Sequence, residues 1–148
     1  MTRHLILILA LCICTPALAQ SGDARLVDWE FLEQVEFKDK YYPEYDAWYL
    51  YPEFSEEVKA LENHAVIIKG YIIPLDVEDG LYALSANPFS SCFFCGAAGP
   101  ESVMSLKFKN DPPRYETDDV VTFTGVLQLN DSNVDDFNYI LNNATAVD

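Results

Sequence analysis

Positive charge is scarce in this chain: 9 Lys and Arg stand against 24 Asp and Glu over 148 residues, a formal net charge of -15. Phosphate backbones are held mainly by Lys and Arg that displace counterions, so the composition excludes a nucleic-acid partner and adhesion to anionic lipid surfaces. No apolar run approaches the roughly 20 residues that a membrane-spanning helix needs. Glycine is also sparse, 6 in all, and none of it forms a phosphate-cradling loop. Histidine is limited to His4 and His64, and cysteine to Cys12, Cys14, Cys92 and Cys95. A nucleophile-base pair is therefore poorly served, and the sequence points away from an enzyme.

What is present is apolar and aromatic mass. Half of the chain is hydrophobic, with 9 Tyr, 9 Phe and 2 Trp. That is far more than a disordered acidic tail carries, so the acid is surface charge on one folded domain.

The first 19 residues read as a secretory signal peptide. Arg3 and His4 precede the apolar run from Leu5 to Ile13, and Ala17-Leu18-Ala19 supplies small residues for cleavage. The expectation is an exported protein, periplasmic or secreted, that starts near Gln20 and keeps no transmembrane anchor. Leu11 before Cys12 and Ile13 before Cys14 disfavour a lipid anchor without excluding it. Cleavage removes Cys12, Cys14 and His4, so Cys92, Cys95 and His64 bound the remaining chemistry.

Residues 20–64 are expected to cover a barrel. Leu26, Trp29, Leu32 and Val35 lie near helical spacing, consistent with a short helix or an irregular wrapping segment. Tyr41, Tyr42, Tyr45, Trp48, Tyr49 and Tyr51 form an aromatic arm, read as packing on the domain in preference to a sugar or ligand platform. Ser55 is an N-cap before Glu56 and Glu57, predicting a short helix to about Glu62.

From Ala65 onward the period becomes two. Runs over Ala65–Leu75, Leu81–Ala86, Ser102–Lys109, Val120–Leu129 and Tyr139–Val147 are separated by Asp, Gly, Pro and Asn turns. Gly70 and Gly125 sit inside strands, where a closed barrel bends. The expected fold is mainly β: a small five-stranded OB-like antiparallel barrel over residues 65–148, forming one domain with its N-terminal covering segment. Lys109–Asp119, broken by Pro112 and Pro113, leaves no good helix between the third and fourth barrel strands.

Chemistry concentrates in Ser91-Cys92-Phe93-Phe94-Cys95-Gly96. Two cysteines with two residues between them aim both sulfurs at one point, and Gly96 permits the twist that turns amide N–H groups toward thiolates. This is half of a zinc site, which normally takes four ligands. His64 and Glu101 are the candidates to complete it, or a second protomer. The same pair also suits a structural disulfide, or a redox couple, although Gly96, Gly99 and Pro100 discourage the helix that activates redox thiols. The Asp131–Asp136 stretch opens like a calcium loop but lacks its glycine and closing glutamate, and reads as a polar turn.

Trp29-Glu30, YLYPEF (Tyr49–Phe54), KGYIIPLD (Lys69–Asp76), Leu84-Ser85 and above all SCFFCGAAGPESV (Ser91–Val103) resemble a bacterial exported family, domain of unknown function 3299. The resemblance implies an exported, often lipoprotein-like OB-type domain, and the transporter permeases and zinc-responsive settings of some relatives favour the metal reading without naming a reaction. The expected function is therefore an exported accessory protein that binds a metal ion, zinc, through the Cys92/Cys95 turn and serves a transporter or another envelope protein, with a thiol-disulfide protein or a disulfide-stapled adaptor as the alternatives.

Overall fold

The computed structural model describes residues 23–147. The signal-peptide reading of residues 1–19, with His4, Cys12 and Cys14, lies outside the described residues. The elements in chain order are β1 (Arg25–Leu26), α1 (Trp29–Leu32), β2 (Val35–Tyr42), β3 (Ala47–Phe54), α2 (Glu56–Lys59), β4 (Ala65–Asp76), β5 (Leu81–Ser85), β6 (Val103–Phe108), β7 (Val120–Leu129) and β8 (Tyr139–Val147). No helix among the described residues is long and apolar enough to cross a membrane.

Strands β4 to β8 close into an OB-type barrel in the order β4-β5-β6-β8-β7, sealed by β4 pairing with β7. Every barrel strand thus has a neighbour on each side, and the barrel has no free edge. The expected all-antiparallel arrangement needs one correction: β6 and β8 run parallel, with Met104 opposite Tyr139 and Leu106 opposite Leu141. β7 returns the chain between them without lying between them, so both start at the same end and the barrel is mixed.

Alternation fills the interior. Val66, Ile68 and Ile72 from β4 meet Phe123 and Leu127 from β7, together with Leu84, Met104 and Leu141. Each such fully buried side chain contributes about 1.5–3 kcal/mol. The two interior glycines lie where backbones crowd. A Cβ on Gly70 would stand 2.6 Å from the Ser85 carbonyl oxygen, and one on Gly125 2.7 Å from that of Asn142. β4 pairs with β7 as far as Tyr71 and with β5 from Tyr71 onward, so Gly70 marks the place where one strand passes between two partners. Gly125 lies at a register shift between β7 and β8.

The N-terminal segment contains the two short helices, but its largest part is a β-hairpin, β2 against β3, that the aromatic pattern had not suggested. The alternation of VEFKDKYY and AWYLYPEF is there, but aromatic residues on both faces hide it. Asp28 caps α1 by accepting from Phe31 N, and Ser55 caps α2 by accepting from Val58 N. Leu32, Phe54, Val58 and Leu61 then close one end of the barrel core. The hairpin tip does not pack as expected: Tyr41, Tyr45, Trp48, Tyr49 and Leu50 remain exposed, Trp48 at 68%.

Candidate functional site

The register places the site. Ser85 at the end of β5 faces Val103 at the start of β6, Met104 faces Tyr139 at the start of β8, and Tyr139 faces Leu129 at the end of β7. Two loops, residues 86–102 and 130–138, therefore rise from one end of the barrel.

The first loop consists largely of single 3-10 turns at Phe89–Ser91, Phe93–Cys95 and Pro100–Ser102. Cys95 N donates to Cys92 O at 3.1 Å, and Gly96 follows at φ 69, a left-handed conformation that favours glycine. The turn thereby sets the two thiols side by side. Cys92 is buried with Ile73, Ala83 and Val103 in a small apolar cluster outside the barrel interior, while Cys95 is exposed. Both are free thiols.

Both sulfurs have the same partner. Cys92 Sγ donates to Phe89 O at 3.1 Å, and Cys95 Sγ donates to the same oxygen at 2.9 Å. The turn was expected to aim amide N–H groups at thiolates; the carbonyl it supplies instead favours protonated sulfur. Desolvation, then the neighbouring Cys92 thiol by charge and hydrogen bonding, pushes the Cys95 thiol up from its ordinary value.

Phe89 is itself held, through the peptide group that precedes it. Its N–H donates to Asp118 Oδ1 at 2.7 Å, and Asp118 sits at φ 68 in the link between β6 and β7. Sequence reasoning did not single out Asp118 or Phe89. An acid in a turn is a weak signal, and the acceptor on Phe89 is backbone, which any residue carries.

Neither proposed partner joins the sulfurs. His64 is exposed beside β7: its carbonyl accepts from Leu127 N, and its Nδ1 lies 2.9 Å from Glu62 O. Glu101 lies in the cysteine loop itself, but its carboxylate folds back over Gly99, into the space a Cβ there would fill. Among the described residues, no three His, Cys, Asp or Glu side chains form a group able to hold a metal ion. Cys92, Cys95, His64 and Glu101 are thus present, but only the cysteines are brought together.

Phe93 and Phe94, between the cysteines, pack edge-to-face on Phe137 of the second loop, with ring centroids 6.2 and 5.7 Å away. Asn130 orders that loop. Its amide nitrogen donates to the carbonyls of Asn133, Asp136 and Phe137, and its oxygen accepts from Asn133 N at 2.9 Å. A cleft of about 370 Å³ lies between the two loops and β3, lined among others by Leu50, Phe93, Asp131 and Phe137.

Comparison with family models, with curated proteins and with solved structures returned no match. The fold and the site define the molecule as an OB-type barrel that carries a two-thiol turn at one end.

Proposed function

We propose that this chain is a non-enzymatic accessory protein of the cell envelope, and that its Cys92–Cys95 turn works by reversible pairing of the two sulfurs. The observation that carries the reading is the shared acceptor, Phe89 O, to which both thiols donate. A carbonyl oxygen stabilises S–H over thiolate. Tight zinc sites and fast nucleophiles need the opposite environment, a lowered thiol pKa. Oxidation would join the two Sγ atoms, release two protons and pass two electrons to an external disulfide oxidant. The ring so closed is very small, which puts its contribution to stability at the low end of the 0 to about 5 kcal/mol range.

Zinc chelation is the second reading, favoured by the exposure of Cys95. Two adjacent sulfurs with an open side would leave the remaining positions to water or to a donor from a partner such as a transporter. Affinity would then fall below that of a closed four-ligand shell. His64 and Glu101 could join only through a rearrangement of their loops.

The test takes reduced wild type, Cys92→Ser and Cys95→Ser. Each is exposed to oxidised glutathione and, separately, titrated with zinc, with intact mass as the readout. The expected result is loss of two hydrogens by wild type alone, a mixed disulfide in Cys92→Ser, where the exposed Cys95 remains, little reaction in Cys95→Ser, whose remaining Cys92 is buried, and no stoichiometric zinc. Stoichiometric zinc uptake that both substitutions abolish would replace the first reading by the second. Neither oxidation nor zinc uptake by wild type would defeat both.

A further inference from the structure

The two long edges of the β2–β3 hairpin are built differently. β2 places Glu36, Lys38, Asp39 and Lys40 along its length, the charges that usually guard an edge against pairing. β3 runs Ala47-Trp48-Tyr49-Leu50-Tyr51 without a charge, and Trp48 and Leu50 are exposed at 68% and 53%. Among the described residues β3 pairs only with β2, so its other edge is free.

The direction of the free groups follows from the ladder. Ser55 N donates to Gln34 O at 3.0 Å, so the backbone groups of residue 55 point toward β2. Alternation turns those of residues 49, 51 and 53 the same way, and those of residues 48, 50 and 52 outward. Pro52, which has no N–H to donate, occupies one of the outward positions, as this assignment requires. Trp48 and Leu50 therefore present N–H and C=O groups along the free edge.

That edge borders the cleft described above. Trp48, Tyr49 and Leu50 line it consecutively, as an edge does and a strand face does not. Phe93, Val134 and Phe137 supply apolar walls for side chains on the far side. Of the two charged residues that line the cleft, Asp136 is already paired with Lys107 at 2.7 Å, and Asp131 is the carboxylate with no ion-pair partner among the described residues, on a chain with net charge -15. The geometry points to β-strand addition: an extended segment of a partner protein, with basic residues alternating with apolar ones, lies in this cleft and pairs with β3. Backbone bonds to Trp48 and Leu50 fix its register, the Phe93 and Phe137 side takes its apolar residues, and the acidic surface selects its basic ones. This inference does not depend on the thiol chemistry.

The experiment follows amide hydrogen exchange of the full chain with and without a peptide of 8 residues, the length of β3, alternating Lys and Val. A Glu/Val counterpart, a neutral oligosaccharide and increasing protein concentration without peptide are run beside it. Expected is a slowing of exchange at Trp48 and Leu50 by about tenfold or more with the Lys/Val peptide and no effect of the Glu/Val peptide. Leu50→Pro removes an outward N–H without touching the β2 ladder, and Trp48→Lys installs the missing edge charge; both should abolish the protection. The proposal is overturned by unchanged exchange in wild type, by equal protection from the acidic peptide, or by protection that persists in Trp48→Lys. Protection by the oligosaccharide alone, or by protein concentration alone, would overturn it too, the latter assigning the edge to a second copy of the chain.

Discussion

Tyr139 donates its hydroxyl to the carbonyl oxygen of Leu32 at 2.6 Å, joining residues 107 positions apart. The acceptor is one of the orphan carbonyls at the end of α1, and the donor is fully buried at the start of β8. One bond thus ties the N-terminal segment to the barrel at the end that carries the cysteine loop.

Tyr139→Phe keeps the ring and leaves the Leu32 carbonyl without its partner. The expected loss is about 1–3 kcal/mol, the cost of an unsatisfied buried acceptor. Chemical denaturation should show a lower midpoint with an unchanged slope.

The same residue makes stability depend on alkaline pH. Burial first, and the charge of Glu101 second, raise the Tyr139 pKa above its ordinary value. An unfolded tyrosine ionises near 10, so this contribution is complete below about pH 10 and is lost as pH rises beyond it. Denaturation midpoints of wild type should fall more steeply above that pH than those of Tyr139→Phe; parallel curves would remove Tyr139 as the cause.

Asp118→Ala releases the Phe89 N–H and with it the carbonyl that both thiols use. Disulfide-exchange labelling of Cys95 should become faster than in wild type, while Asp118→Asn, which keeps the acceptor oxygen, should label at close to the wild-type rate. Equal rates in all three would separate Asp118 from the thiols.

The glycines differ in what they tolerate. Gly96→Ala meets no atom within 4 Å and bears only the strain of its φ of 69, about 1–2 kcal/mol. Gly125→Ala puts a Cβ 2.7 Å from both Asn142 O and Leu141 Cγ, which calls for about 3 kcal/mol, the upper end of overpacking. Thermal melting should rank Gly125→Ala well below Gly96→Ala.

Period-two alternation from Ala65 onward made all five barrel strands legible, and Gly70 and Gly125 marked their crowded points, because those patterns are local. The parallel pairing of β6 with β8 was not legible: alternation says which side faces in, never which strand lies alongside. The β2–β3 hairpin escaped for a related reason. Tyr41 and Tyr42, or Trp48 and Tyr49, are neighbours on opposite faces and read as one continuous aromatic patch. At the site, the spacing of Cys92 and Cys95 foretold that the sulfurs would meet. It could not foretell Phe89 O between them, nor that Glu101 would turn back onto Gly99.

The sealing of the barrel by β4 and β7 has a kinetic side. Thr124 Oγ1 donates to Val66 O across 58 intervening steps of sequence, whereas the hairpin β2–β3 closes through a short turn. Loop-closure entropy must be met before the distant pair rewards it, so the hairpin can zip within microseconds while the barrel waits for its seam. During that interval the apolar strand β4 has lost the company of water on neither side, and the newly made chain is at its most exposed to aggregation.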